Sequence, residues 1–161
     1  MLLVLVSAPI QTAITTALFR DPIATPVVPV ALIAAWASMR RVEETWPAIL
    51  LPAIALGATS EERAGWFLLA LLPAPALALL GTRRLRPRVT GIGRRLAVAA
   101  TVAAAGACAY VVLLSAAGGV LTDLPAHAAA LLAAAAGSAF LALLVALALW
   151  PLRRRDRGLF V

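Results

Sequence analysis

Hydrophobic and polar positions divide the chain into six apolar runs, at residues 1–19, 22–39, 46–58, 64–80, 96–117 and 125–150, separated by short charged or turn-forming stretches. A helix that crosses a ~30 Å hydrocarbon core needs about 20 apolar residues. The pattern predicts a helix over each run. The second and third are short for that core and could form a shallow re-entrant hairpin. Their connection, Arg40-Arg41-Val42-Glu43-Glu44, would then sit at mid-membrane, at a cost of ~2.5–3.5 kcal/mol per charge. Two thin, complete spans cost less. The first run has no basic residues ahead of it and is read as an uncleaved span rather than a signal peptide. The expected fold is therefore all-α: one domain over residues 1–161, a polytopic membrane bundle of about six transmembrane helices.

Composition strengthens this expectation. Of 161 residues, 63% are hydrophobic and 13% charged, with a mean hydropathy of +1.00, which argues against both a soluble enzyme and a disordered chain. Alanine (39) and leucine (30) dominate, Asn and Lys are absent, and His, Cys and Gln occur once each. The net charge of +7 and pI near 11.6 could suggest nucleic acid. All 14 basic residues, however, are Arg, and nearly all lie between the apolar runs, the distribution of topology signals rather than of a nucleic-acid surface. With the N-terminus inside and six spans, the segments 40–45, 81–95 and 151–161 hold twelve arginines, and the outward loops hold only Arg20 and Arg63. Cytoplasmic loops retain basic residues, so both termini are expected in the cytoplasm. Trp36, Trp46, Trp66 and Trp150 fall near proposed span ends, where indoles favour the headgroup level.

Candidate chemistry is sparse. Gln11 with Thr12, Thr15 and Thr16 makes the first helix polar on one side, Gln11 and Thr15 being an i,i+4 pair; such a stripe faces protein or a ligand rather than lipid. Pro9, Pro47, Pro52, Pro73 and Pro75 lie inside apolar runs, where proline kinks or breaks a helix, and Pro73-Ala74-Pro75 is the best candidate for an irregular turn of the kind that marks transporter sites. In the last run Ala129, Ala133 and Gly137 form a small-residue row, with Ala130, Ala134, Ser138, Ala142 and Ala146 as a second row beside it; Ala99, Ala103 and Ala107 repeat the spacing on the fifth. Such rows let helices approach closely, and the fifth and sixth helices are expected to pack together or on a partner span. Gln11, Thr15, Ala129, Ala133 and Gly137 are the expected packing or partner interface.

No metal or cofactor site is expected. His127 has no second His or Cys nearby, and Cys108 is alone in an apolar run. Gly91-Ile92-Gly93 follows no strand, and Glu61-Glu62 reads as loop charge. No intramembrane ionisable residue is evident, which argues against a proton-coupled pump. The cluster Arg83, Arg84, Arg86, Arg88, Arg94, Arg95 suits topology or anionic lipid, at ~1 kcal/mol per basic residue near the surface.

Several stretches resemble the rod-shape-determining MreD family of bacterial inner-membrane proteins along nearly the whole chain: Ile10-Gln11-Thr12 followed by an apolar run from Pro26, the charged turn Arg40 to Glu44, the run closed by Gly57 to Ser60, the restart at Gly65, and the closing helix ending Trp150-Pro151-Leu152-Arg153-Arg154-Arg155. The resemblance implies a non-enzymatic scaffold of the cell-elongation machinery, located in the inner membrane, that binds an MreC-type coiled-coil protein, a RodA-type polymerase and its penicillin-binding partner. The alternative is a substrate-capture subunit like that of energy-coupling-factor vitamin transporters, with the Gln11/Thr stripe and the Pro73/Pro75 break lining a pocket.

Overall fold

The computed structural model describes residues 10–11, 24–39, 45–59, 64–83, 91–117 and 128–155. Within them the regular elements are all helical: α1 (Val28–Met39), α2 (Trp46–Thr59), α3 (Ala64–Leu71), α4 (Pro73–Arg83), α5 (Ile92–Ala117) and α6 (Ala128–Arg155). Two of them, Ile92–Ala117 and Ala128–Pro151, are long and apolar enough to cross a membrane, and only 39% and 28% of their most apolar windows are buried inside the fold. A core helix of a soluble protein would be mostly covered.

Contacts along the helices set the register. Arg95 near the start of α5 reaches Ser38 near the end of α1, Ala35, Met39, Ala99 and Ala146 share one cluster, and Val30 meets Gly106. Helix α1 is thus antiparallel to α5 and parallel to α6. On α4, Gly81 faces Val98 and Ala74 faces Gly106, so α4 also runs against α5. The ends of α1, α4 and α6 and the start of α5 consequently lie at one end of the bundle. The helices place Arg83, Arg94, Arg95 and Arg153 to Arg155 there.

Side-chain size is distributed inversely to a soluble bundle. The seam between α1, α5 and α6 is filled by Ala31, Ala34, Ala35, Ala99, Ala103, Ala142 and Ala146, all essentially buried, whereas Leu132 (69% exposed), Ile54, Leu80 and Phe140 (61% each) point outward. In water, large apolar side chains are the ones driven inside. Larger buried side chains, Ile33, Ile49, Phe67 and Leu71, fill a second cluster where α2 and α3 join the bundle. On the outer face of α5 the exposed Thr101 hydroxyl donates back to the carbonyls of Ala97 (3.0 Å) and Val98 (3.1 Å), which satisfies its proton without water.

The boundaries differ from those read in the sequence. Within the run 22–39, regular α-helix among the described residues spans Val28–Met39, about 18 Å, too short to cross a bilayer alone. The run 64–80 is two helices with a break at Leu72. That break is mild: Leu72 N–H donates to Leu68 O (3.2 Å) and Ala76 N–H to Leu72 O (3.3 Å), so bonding continues through it and Pro73 sits at the first position of α4, where its missing donor is harmless. Pro52 lies inside α2, which continues past it. The last helix, Ala128–Arg155, continues through Pro151. Apart from residues 10–11, the expected span 1–19 lies outside the described residues, as do large parts of the connecting loops.

Candidate functional site

Among the described residues, Thr25-Pro26-Val27, immediately before α1, are non-helical, whereas Pro73-Ala74-Pro75 are helical. The sequence from Thr25, Thr-Pro-Val-Val-Pro-Val, contains prolines compatible with a first turn but offers no side chain at the cap position itself, where Val27 stands with its carbonyl accepting from Ala31 N–H (3.1 Å). The caps come from elsewhere in the chain. Val27 N–H donates to Ser138 Oγ (2.8 Å) on α6, and Val28 N–H donates to Gln11 Oε1 (2.8 Å). Ser138 Oγ in turn donates to Ala134 O (2.7 Å). Two consecutive donors that an α-helix leaves unsatisfied are therefore taken up by two distant segments.

This helix start lies well inside the bundle. Ser138 is ten residues, about 15 Å of helix, from the first residue of α6. Val30 lies level with Gly106, eleven residues or about 16 Å short of the end of α5. Val27 is 2% and Ser138 0% exposed, so neither group can turn to solvent.

The far end of α1 is held in the same manner. Arg95 Nη1 donates to Ser38 O (2.9 Å), placing a cation against the carbonyl end of the helix, where both the hydrogen bond and the helix dipole favour it. Arg95 is 7% exposed. By sequence it belongs to an arginine-rich loop; in the structure α5 begins at Ile92 and carries Arg95 on its inward face.

The expected interface residues are not brought together as one surface. Gln11 is buried against α1. Gly137 is half-buried under Pro26: a Cβ there would come 2.7 Å from Pro26 Cγ, so only glycine permits this approach. Ala129 and Ala133 are exposed on α6. Thr15 lies outside the described residues, as do Thr12, Thr16, Asp123 and His127. Within the chain, close packing is carried by the second row, in which Ala130 is half-buried and Ala134, Ser138, Ala142 and Ala146 are buried, with Ala142 clustered with Ala103 and Ala146 with Ala99 of α5. A size-based comparison follows. Gly137→Leu should destabilise the bundle by about 1–3 kcal/mol through overpacking, while Leu144→Gly, on an exposed position, should cost about 1 kcal/mol from helix propensity; yield and monodispersity in mild detergent measure the difference.

A second feature is an apolar cleft of about 250 Å³ between the start of α2 and the α3–α4 junction, lined by Thr45, Trp46, Ile49, Leu72, Pro75, Ala76 and Leu79. Among the described residues there is no group of three or more His, Cys, Asp or Glu that could hold a metal. Cys108 is half-buried with a free thiol. The buried Ser138 hydroxyl has both its donor and acceptor functions used for backbone groups, an arrangement suited to tying helices together rather than to nucleophilic attack.

Comparison with known proteins returns no matching family model, curated protein or solved structure.

Proposed function

We propose that this chain is a multi-pass bilayer protein whose role is structural, a non-enzymatic scaffold offering helix surfaces to partner proteins. The observation that carries the reading is the size-inverted packing: alanines fill the α1, α5 and α6 seam and Leu132, Ile54, Leu80 and Phe140 face outward, as suits a surrounding solvent of hydrocarbon. The chain's buried polar side chains support it too, because Gln11, Ser138 and Arg95 each bond the backbone of α1, a structural use. Arginines on α4, α5 and α6 gathered at one end fit an inner-membrane protein with that end in the cytoplasm. In its most specific form, resting on the resemblance to the MreD family, the scaffold belongs to the cell-elongation machinery and binds an MreC-type protein together with a RodA-type polymerase and its penicillin-binding partner.

Two measurements test this. In a Cys108→Ala background, single cysteines at Gly91, Ser60 and Asp123 are challenged with a membrane-impermeant thiol reagent applied to intact cells. Positions 60 and 123 should label and position 91, which is exposed with open space around it, should not; labelling at 91 or protection at both others overturns the topology. For partners, pull-down from native membranes should recover a single-span coiled-coil protein and wall-synthesis enzymes, and depletion should round rod-shaped cells. Co-purification with a vitamin-sized ligand or a transporter ATPase pair would replace the scaffold by the substrate-capture reading.

A further inference from the structure

We propose that the cleft between α2 and the α3–α4 junction seats one acyl chain of an anionic phospholipid whose headgroup is held at the arginine end of the bundle. The inference rests on the bilayer reading given above. The cleft's chemistry limits its occupant. Its walls are Trp46, Ile49, Leu72, Pro75, Ala76 and Leu79, with the buried Thr45 beside them. At about 250 Å³ it lies below the ~300–1,000 Å³ usual for small-molecule sites, which also carry several convergent polar groups. A hydrocarbon chain needs neither.

Position supplies the charge. The start of α2 (Trp46, Ile49) and Pro75, Ala76 and Leu79 of α4 line the cleft together. With Leu79 four residues from the end of α4, the cleft reaches to within about one turn of the end of the bundle where α4 terminates. Leu79 lines the wall, and α4 ends one turn further on, at Arg83. Arg94, exposed at the start of α5, is at the same end of the bundle. A chain lying along Leu72, Ala76 and Leu79 thus brings its phosphate to the level of cationic positions. Near a membrane surface one basic residue favours an anionic lipid by up to about fivefold. Trp46, 55% exposed, is a cleft wall that can also report occupancy.

The test uses the full chain with Trp46 as its only tryptophan (Trp36, Trp66 and Trp150 replaced by Phe), reconstituted in phosphatidylcholine vesicles. Equal mole fractions of either phosphatidylcholine or phosphatidylglycerol carry bromine on the acyl chains, which quenches indole fluorescence on contact. A companion chain keeps only Trp66, exposed on α3 outside the cleft. Quenching of Trp46 should be at least about twofold stronger with brominated phosphatidylglycerol than with brominated phosphatidylcholine, and Trp66 should show no preference. Arg83→Gln should reduce the preference. Ala76→Phe, which fills the cleft from an exposed position, should abolish it, with circular dichroism checking that both variants remain helical. If Trp66 is quenched by both lipids and Trp46 shows no preference, the cleft holds ordinary bulk lipid and the inference fails while the bilayer reading stands. If Trp66 is quenched and Trp46 by neither lipid, the cleft is covered by protein and the inference fails likewise. If neither tryptophan is quenched, the bilayer reading itself fails.

Discussion

Gly106→Leu should leave little correctly folded protein in the membrane. Gly106 lies where α1, α4 and α5 cross: a Cβ at this position would come 2.8 Å from Val30 Cγ1, 3.2 Å from Ala74 Cβ and 3.5 Å from Ala74 Cα. The Cα distance is ordinary contact, but Ala74 Cβ is fixed to its backbone and cannot rotate away. Val30 is β-branched, with little rotamer freedom on a helix, and is fully buried. Relief therefore requires α1 or α4 to move outward, which separates the alanine contacts along their whole length. Inserting a larger side chain into a packed core costs about 1–3 kcal/mol where neighbours can adjust; with a rigid helix on each side, the upper part of that range or more is expected. Gly106→Ala, which adds only the Cβ, should fall between wild type and Leu. The measurement is the fraction of monodisperse, helical protein recovered in mild detergent and its thermal midpoint. Equal recovery of Gly106→Leu and wild type would mean that these three helices do not cross at this point.

Why such positions are hard to see beforehand follows from the solvent. The helical runs at 96–117 and 125–150 are legible because length and hydropathy alone define them, and the alternation of arginine-rich and arginine-poor loops is legible because it depends on sequence order. The inward face is less so. When both the interior and the surroundings are apolar, hydrophobic periodicity vanishes, and what distinguishes inside from outside is side-chain size. On α6 the two adjacent small rows, Ala129/Ala133/Gly137 and Ala134/Ser138/Ala142/Ala146, look equivalent by size. The second is the buried one, and its signal was Ser138, a hydroxyl that needs a partner. Likewise Gln11 is recognisable as facing protein, but its partner, the N–H of Val28, is a backbone group and leaves no trace in the residue sequence.

The start of α1 and the burial of Arg95 show a different limit. A run such as 22–39 looks continuous because Pro26 and Pro29 are as apolar as their neighbours. Nothing local says that α1 begins at Val28. A helix start without its own capping residue can exist in a buried place only if another segment supplies acceptors, and the sequence separation to Ser138 is 111 residues. Arg95 belongs by composition to an arginine-rich loop. By geometry it belongs to the helix that follows, and its guanidinium closes the other end of α1. The short helix α1 is thus specified at both ends by tertiary contacts.

Removing the imported cap should expose that dependence. In Ser138→Ala the Val27 N–H loses its acceptor in a place with no water and no slack, Val27 being 2% exposed and preceded by the stiff Pro26. Leaving a buried donor unsatisfied costs about 1–3 kcal/mol. That exceeds the average of ~0.6 kcal/mol measured for polar contacts between membrane helices, where the freed group finds another partner; here it is a backbone N–H outside a regular helix and cannot. Gln11→Leu should act similarly on Val28 N–H, and both variants should expose the first turn of α1 to hydrogen exchange. The control is Thr101→Val. It removes a hydroxyl of the same kind, but one that is exposed and bonded only to carbonyls of its own helix, Ala97 and Val98. Those carbonyls belong to an uninterrupted helix, so the loss should be within about 0.5 kcal/mol of zero. Thermal midpoints of the three variants in one detergent, with amide exchange at residues 27–31, decide the matter. If Ser138→Ala is as stable as Thr101→Val and its exchange at Val27 and Val28 is unchanged, α1 holds its start without help from α6, and the cluster of Gln11, Val27, Val28 and Ser138 is not what anchors it inside the bundle.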